Sequence, residues 1–120
     1  MSYVYVIKQI FMTYPKKELF DYECQEVAEF ARILSHPARI AILKYLASCK
    51  QCISGDISNE IPLSRTTVSQ HLQELKKAGL IRGEIDGVKV NYCLDPKKLK
   101  EVRRLFESLF KDIKEQYECC

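Results

Sequence analysis

A mainly α-helical domain carrying a small β-hairpin is the fold class that the sequence predicts. Three observations carry it. Apolar residues recur at helical spacing through most of the 120 residues. One pair of alternating segments flanks Asp86-Gly87, a strong two-residue hairpin signal. A long final helix bears an apolar stripe that little remaining chain is left to cover.

Residues 1–15 end at Pro15 and read as an N-terminal arm or extension, leaving 16–120 as one domain. Residues 16–34 have a helical pattern, with Phe20, Cys24, Val27, Ala31 and Leu34 on one face. Ser35 and Pro37 signal the start of a second helix, one as a capping hydroxyl and the other in the first turn. That helix, "PARIAILKYLAS", is apolar around much of its circumference, which predicts a central buried position. "SGDISNEI" reads as a short helix capped by Ser54, with Ile57 and Ile61 inward and Pro62 closing it. Ser64 caps the next helix, "RTTVSQHLQELKKA", which stops at Gly79. The segments 81–85 and 88–92 then alternate in polarity around the Asp86-Gly87 turn. Asp95 and Pro96 open the last helix. Its stripe runs through Leu99, Val102, Leu105, Phe106, Leu109, Phe110, Ile113 and Tyr117, and a second subunit is its natural partner.

Composition narrows the class of function. Hydrophobic residues make up 47% and charged residues 29%, as in ordinary globular proteins. No apolar run approaches the ~18 residues that a membrane span needs. The opening "MSYVYVIKQIF" is a poor signal peptide, with its basic residue after the apolar run. A cytoplasmic protein without a membrane partner is expected. The net charge of +3 suggests nucleic acid only where the charge is clustered.

The polar-faced helix supplies a clustered surface. On a wheel at about 100° per residue, Val68, Leu72 and Leu75 fall within roughly 60° and face the core. Thr66, Gln70, Gln73 and Lys77 point away, and Ser69 lies on one flank. Amides and hydroxyls on such a face can read base edges in the major groove. Arg65 and the helix N-terminus can reach phosphate. A short helix, a tight turn, a polar-faced helix and then a hairpin make a winged helix-turn-helix. Arg82, Lys89 and Asn91 lie on or near the wing, where basic residues can follow the DNA backbone.

"LSHPARIAILKYL", "LSRTTVSQHLQELKKAGLI" and the hairpin ending "VNYCL" together resemble the ArsR/SmtB-type repressors, over about residues 27–118. The pattern S-x-x-T-V-S-x-H-L-x-x-L-x-x-A-G-L-I is specific to that likeness. The resemblance implies a homodimeric winged-helix repressor that leaves double-stranded operator DNA when a metal, metalloid or thiol-reactive signal binds. It implies that Ser64, Arg65, Thr66, Thr67, Ser69, Gln70 and Gln73 read DNA, that the hairpin is the wing, and that the first and last helices dimerise.

The sensor is sought among six cysteines, a high count for a cytosolic chain. The last helix holds no histidine, which argues against a zinc or nickel site there. His71 lies about 60° from the core direction and is expected to pack or to bond a backbone carbonyl; His36 is assigned no role. A site built mainly of thiolate favours soft ions: As(III) or Sb(III) first, then cadmium, lead or Cu(I), with no resident cofactor required. Cys49 and Cys52 sit in the polar loop "SCKQCISGD" beside Lys50, which favours thiolate. The resemblance places an inducer site at this loop, with a cysteine such as Cys24 from the other subunit's N-terminal region. In the familiar pattern two cysteines stand one residue apart just before an aspartate, whereas here Ser54-Gly55 precede Asp56. Cys93, Cys119 and Cys120 form a second candidate set. Cys93 and Cys119 are separated by roughly 35 Å of helix and would meet only across an antiparallel pair of last helices. Each cysteine has a structural alternative as a small apolar residue, and the terminal pair as an exposed end. A thiol redox or reactive-sulfur sensor is the alternative within the class, and a constitutive DNA-binding module the alternative outside it. A small C-x-x-C oxidoreductase is disfavoured, because no strand precedes Cys49 in a βαβ unit.

Overall fold

The computed structural model of the protein describes residues 17–49, 52–54, 57–86 and 89–117. The expected arm at 1–15 lies outside them. Among the described residues no helix is long and apolar enough to cross a membrane.

The first helix, α1, is Tyr22–Ile33, preceded by a 3-10 turn at Lys17–Leu19. Asp21 caps it: its carboxylate accepts from the Cys24 N–H at 2.8 Å. Of the face expected to turn inward, only Leu34 packs against the core. Phe20, Cys24 and Ala31 are exposed and Val27 is half-buried, while Phe30 and Ile33 on the flank enter the core. That flank is where α1 packs on its own chain, against the last helix and, at Ile33, the Arg39 guanidinium of α2.

The second helix, α2, is Pro37–Ser48, and Ile42 and Leu46 are buried in the core. Its N-cap residue is His36, which makes no side-chain cap bond. Ser35 does not cap α2: its hydroxyl donates back to the Arg32 carbonyl at 2.7 Å and closes α1. The segment after α2 also departs from expectation. Ser54 belongs to a two-residue strand, β1 (Ile53–Ser54), and the helix shrinks to one 3-10 turn at Ile57–Asn59. Ile57 and Ile61 are buried, as their apolar spacing predicts.

The third helix, α3, is Arg65–Lys77. The Ser64 Oγ accepts from the Thr67 N–H at 3.2 Å. At its other end Gly79 has φ +84°, a conformation that side chains resist. The Leu80 N–H donates to the Leu75 carbonyl at 3.1 Å and the Gly79 N–H to that of Lys76 at 3.0 Å. Two fully buried leucines, Leu75 and Leu80, meet across this Schellman cap.

Strands β2 (Ile81–Asp86) and β3 (Lys89–Leu94) form the hairpin, and β1 adds to the outer edge of β3, in the antiparallel order β1-β3-β2. Asp86 pairs with Lys89 and Ile85 with Val90. The connecting residues are therefore 87–88, one further along than the Asp86-Gly87 turn expected, and they lie outside the described residues. Ile81, Tyr92 and Leu94 turn one face of the sheet to the core. The last helix, α4, is Pro96–Tyr117. The Asp95 carboxylate caps it, accepting from the N–H groups of Lys97 and Lys98, each at 3.1 Å. Val102 is buried and Leu99, Leu105 and Phe106 pack against the core, whereas Phe110 and Ile113 are exposed.

Candidate nucleic-acid interface and thiol site

Helix α3 is anchored by Val68, Leu72 and Leu75, all buried. This leaves Thr66, Ser69, Gln70, Gln73 and Lys77 exposed along one side, with Arg65 exposed at the N-terminus. Ser64 and Thr67 serve the cap, since the Ser64 hydroxyl also donates to Thr67 Oγ1 at 2.9 Å. Lys77 pairs with Glu74 at 3.5 Å on the exposed surface. Amides and hydroxyls so exposed are groups that can pair with base edges in a major groove.

A buried arginine that the sequence did not single out positions this helix. Arg39 on α2 is 8% exposed. Its Nε donates to His71 Nδ1 on α3 at 3.1 Å, and its Nη1 donates to the Ile33 carbonyl at 3.1 Å. The guanidinium thus meets the C-terminal, electronegative end of α1 and one ring nitrogen of α3. His71 is half-buried, in keeping with the packing alternative, and accepts from a side chain. This places its ring hydrogen on Nε2. Burial, then the charge of Arg39, hold the His71 imidazole below its ordinary value of 6.5. The His36 ring lies 5.5 Å away. One signal for Arg39 was present: an arginine in a helix apolar around much of its circumference must find acceptors where it is buried.

On the wing, Arg82 is exposed. The Lys89 backbone pairs with Asp86. Asn91 does not stand free on the wing surface. It is half-buried, and its Oδ1 is buried without a hydrogen-bond partner.

The cysteines regroup. Cys52 and Cys93 are joined by a disulfide, with their Cα atoms 4.6 Å apart. Each comes from a different candidate set. The register explains the pairing. Ile53 faces Tyr92 and Ser54 faces Asn91, so Cys52 falls opposite Cys93. The Cα separation is that of a non-hydrogen-bonded antiparallel pair, about 4.5 Å. Glu84 on β2 reaches the same place: its carboxylate and the two sulfurs lie within 4.8 Å of one another. Among the described residues this is the one such group of three metal-capable donors. Cys24 is free and exposed. The Asp21 carboxylate, through its hydrogen bond and its charge, pushes the Cys24 thiol up, which disfavours thiolate there. Cys49 is free and half-buried, its sulfur 4.0 Å from the Ser48 hydroxyl. Lys50, Cys119 and Cys120 lie outside the described residues.

A helix-turn-helix domain family, HTH_20, matches residues 34–84. The cadmium resistance transcriptional regulatory protein CadC of Listeria innocua is 32% identical over 90 residues, covering 75% of this chain and 76% of that protein. A crystal structure of a possible transcriptional regulator for arsenical resistance superposes with a TM-score of 0.56 at 33% identity, covering 66% of this chain and 81% of that one. The chain belongs to the ArsR/SmtB family of winged helix-turn-helix transcriptional regulators. The family member SmtB of Mycobacterium tuberculosis is 35% identical over 80 residues, 67% of this chain but 56% of that protein. The family's members are DNA-binding regulators, not enzymes, and the C-x-x-C oxidoreductase reading falls with that membership.

Proposed function

We propose that this ArsR/SmtB-family regulator is a homodimeric, cytoplasmic repressor whose hold on operator DNA is set by the state of Cys52 and Cys93. The observation that carries the reading is the cross-strand disulfide, which sits in the wing. Arg82, expected to touch the DNA backbone, pairs directly with Cys93 in the β2–β3 register. Strand β1 leads from Cys52 into the turn at Ile57–Asn59, whose Ile57 is buried in the core that seats α3. A bond between the two sulfurs therefore ties the approach to the reading head to the wing.

In this reading α3 enters the major groove and reads bases with Thr66, Ser69, Gln70 and Gln73. Arg65, Lys77, Arg82 and Lys89 hold phosphate, while Ser64 and Thr67 build the helix start. Two chains associate through α4 and through α1 with the turn before it, where Leu19, Phe20, Tyr22, Phe110 and Ile113 are exposed. Stripes of that kind are covered in a symmetric dimer.

The disulfide favours thiol oxidation as the signal. Peroxide converts one thiolate to a sulfenic acid with release of hydroxide. The second thiol then condenses with it, forming the S–S bond and releasing water. A thiophilic ion, As(III) foremost, is the second reading. Soft ions prefer thiolate, and CadC and the arsenical-resistance regulator are named for such ions. The grouping of Cys24 with Cys49 and Cys52 has less support than the Cys52–Cys93 pair.

Fluorescence anisotropy on DNA from upstream of its own gene tests this, with free thiols counted alongside. Peroxide should weaken binding at least about tenfold in the wild type and in Cys24→Ser or Cys49→Ser. Cys52→Ser and Cys93→Ser should bind DNA and ignore peroxide. Peroxide release that survives in both would refute the assignment. Release by arsenite alone would establish the second reading.

A further inference from the structure

We infer that the reduced wing is a binding site for a thiophilic divalent cation, held by Cys52, Cys93 and Glu84. The inference rests on Cys52 and Cys93 being the working thiols and adds a third ligand and a ligand class to them. Two strands and the residue leading into a third supply the donors. Cys52 immediately precedes β1, Cys93 is on β3 and Glu84 on β2, with the two sulfurs and the carboxylate within 4.8 Å. Cys93 is buried, while Cys52 and Glu84 are exposed, so the site has a closed floor and an open mouth. Reduction lets the sulfurs separate by side-chain rotation while the strand pairing holds the backbone.

The chemistry of the donors selects the ion. Two thiolates and one carboxylate carry three negative charges, suited to a borderline-soft dication with tetrahedral preference and one position left open. Zinc and cadmium meet that description; calcium and magnesium, which take oxygen ligands, do not. A further polar atom lies on this sheet face. Asn91 pairs with Glu84 across β2–β3 and with Ser54 across β1–β3, two residues from Cys93. Its Oδ1 is buried without a partner. Orphaned buried acceptors are uncommon, and an ion or a water is a usual explanation.

The site has two exclusive states. In the disulfide the sulfurs are bonded to each other and offer no thiolate. A dithiol reductant supplies two electrons and two protons, the S–S bond breaks and two S–H groups form. The cation then displaces both protons to solvent as it binds the two sulfurs and the carboxylate. Oxidation therefore expels the ion, and a bound ion shields the thiols from oxidation.

The full-length protein, reduced and freed of metal, should be titrated with Cd(II) while the ultraviolet thiolate-to-cadmium charge-transfer band is followed. A quadruple variant, Cys24→Ser, Cys49→Ser, Cys119→Ser and Cys120→Ser, should keep one tight site per chain. Losing a group that only hydrogen-bonds a ligand already costs metal sites about 10–100-fold. Loss of a ligand in Glu84→Gln should therefore weaken binding at least about tenfold, and Cys52→Ser or Cys93→Ser more. Diamide-oxidised protein should show no band, and Zn(II) should compete. A quadruple variant that binds no cadmium, or a Glu84→Gln variant with wild-type affinity, would overturn the inference. Circular dichroism confirms that each variant is folded, and Glu84→Asp should restore part of the affinity. The sensor reading is separable. Peroxide-controlled DNA release that depends on Cys52 without any cadmium site would leave that reading standing and sink this one. A cadmium site with unchanged DNA affinity would do the reverse.

Discussion

Replacing Arg39 by methionine tests what holds the reading helix in place. The change keeps the length of the stem and removes the charge and the donors. Two acceptors lose their partner: His71 Nδ1 and the Ile33 carbonyl, each 3.1 Å from a guanidinium nitrogen. Leaving a buried acceptor unmet costs about 1–3 kcal/mol, so the pair amounts to about 2–6 kcal/mol. The opposing effect is desolvation. Arg39 is only 8% exposed, and burying a charge costs several kcal/mol that methionine no longer pays. Both acceptors are neutral, but the carbonyl belongs to a helix C-terminus, where the dipole favours a cation. The bonds should therefore win, with a net loss of about 2–4 kcal/mol. At about 4 °C per kcal/mol for a domain of this size, the midpoint should fall by about 8–16 °C. Thermal and urea unfolding at one fixed protein concentration measure it, since the stability of the proposed dimer would depend on concentration. A cycle with His71→Phe should show coupling of about 1 kcal/mol. An Arg39→Met protein as stable as the wild type would mean that desolvation consumes the bonds, and the argument would fail.

Gln70→Ala should weaken specific DNA binding by about 1–3 kcal/mol and leave nonspecific binding nearly intact; an unchanged specificity ratio by anisotropy would remove Gln70 from the reading face. Arg82→Ala should weaken binding on all sequences alike and lower the salt slope by about one, and a sequence-selective loss would contradict a phosphate role. Phe110 is 62% exposed within one chain, so Phe110→Glu should dissociate the proposed dimer in sedimentation at a cost of several kcal/mol. Phe106 is a poorer probe, because it packs against its own core. His71 is held below its ordinary value of 6.5, so the folded state favours the neutral ring. Its contribution is full above about pH 6.5 and is lost as the pH falls through the lower folded value. His71→Gln retains an acceptor for Arg39 and should flatten the fall in urea midpoint between pH 7.5 and pH 5.5; an equal fall in both proteins would exclude His71 as its source.

Helix α3 was the most legible element. In α3 the spacing of Val68, Leu72 and Leu75 is enough to place one face inward, because a helix half in water must separate apolar from polar residues. Its start at Ser64 and its end at Gly79 follow from backbone groups that a helix cannot satisfy by itself. The same logic misled for α1, where most of an apolar face that looked like a core face is exposed, and for Ser54, where a capping residue type sits in a strand.

From its own residues the chain determines the order of elements, the reading helix and the wing, since each depends on spacing within about a dozen positions. Tertiary structure alone decided the partners of Arg39 and the pairing of Cys52 with Cys93, 41 residues apart. No periodicity within either segment encodes that distance. It arises when β1 adds to the edge of β3, a contact set by the packing of Ile57 and Tyr92 into a common core.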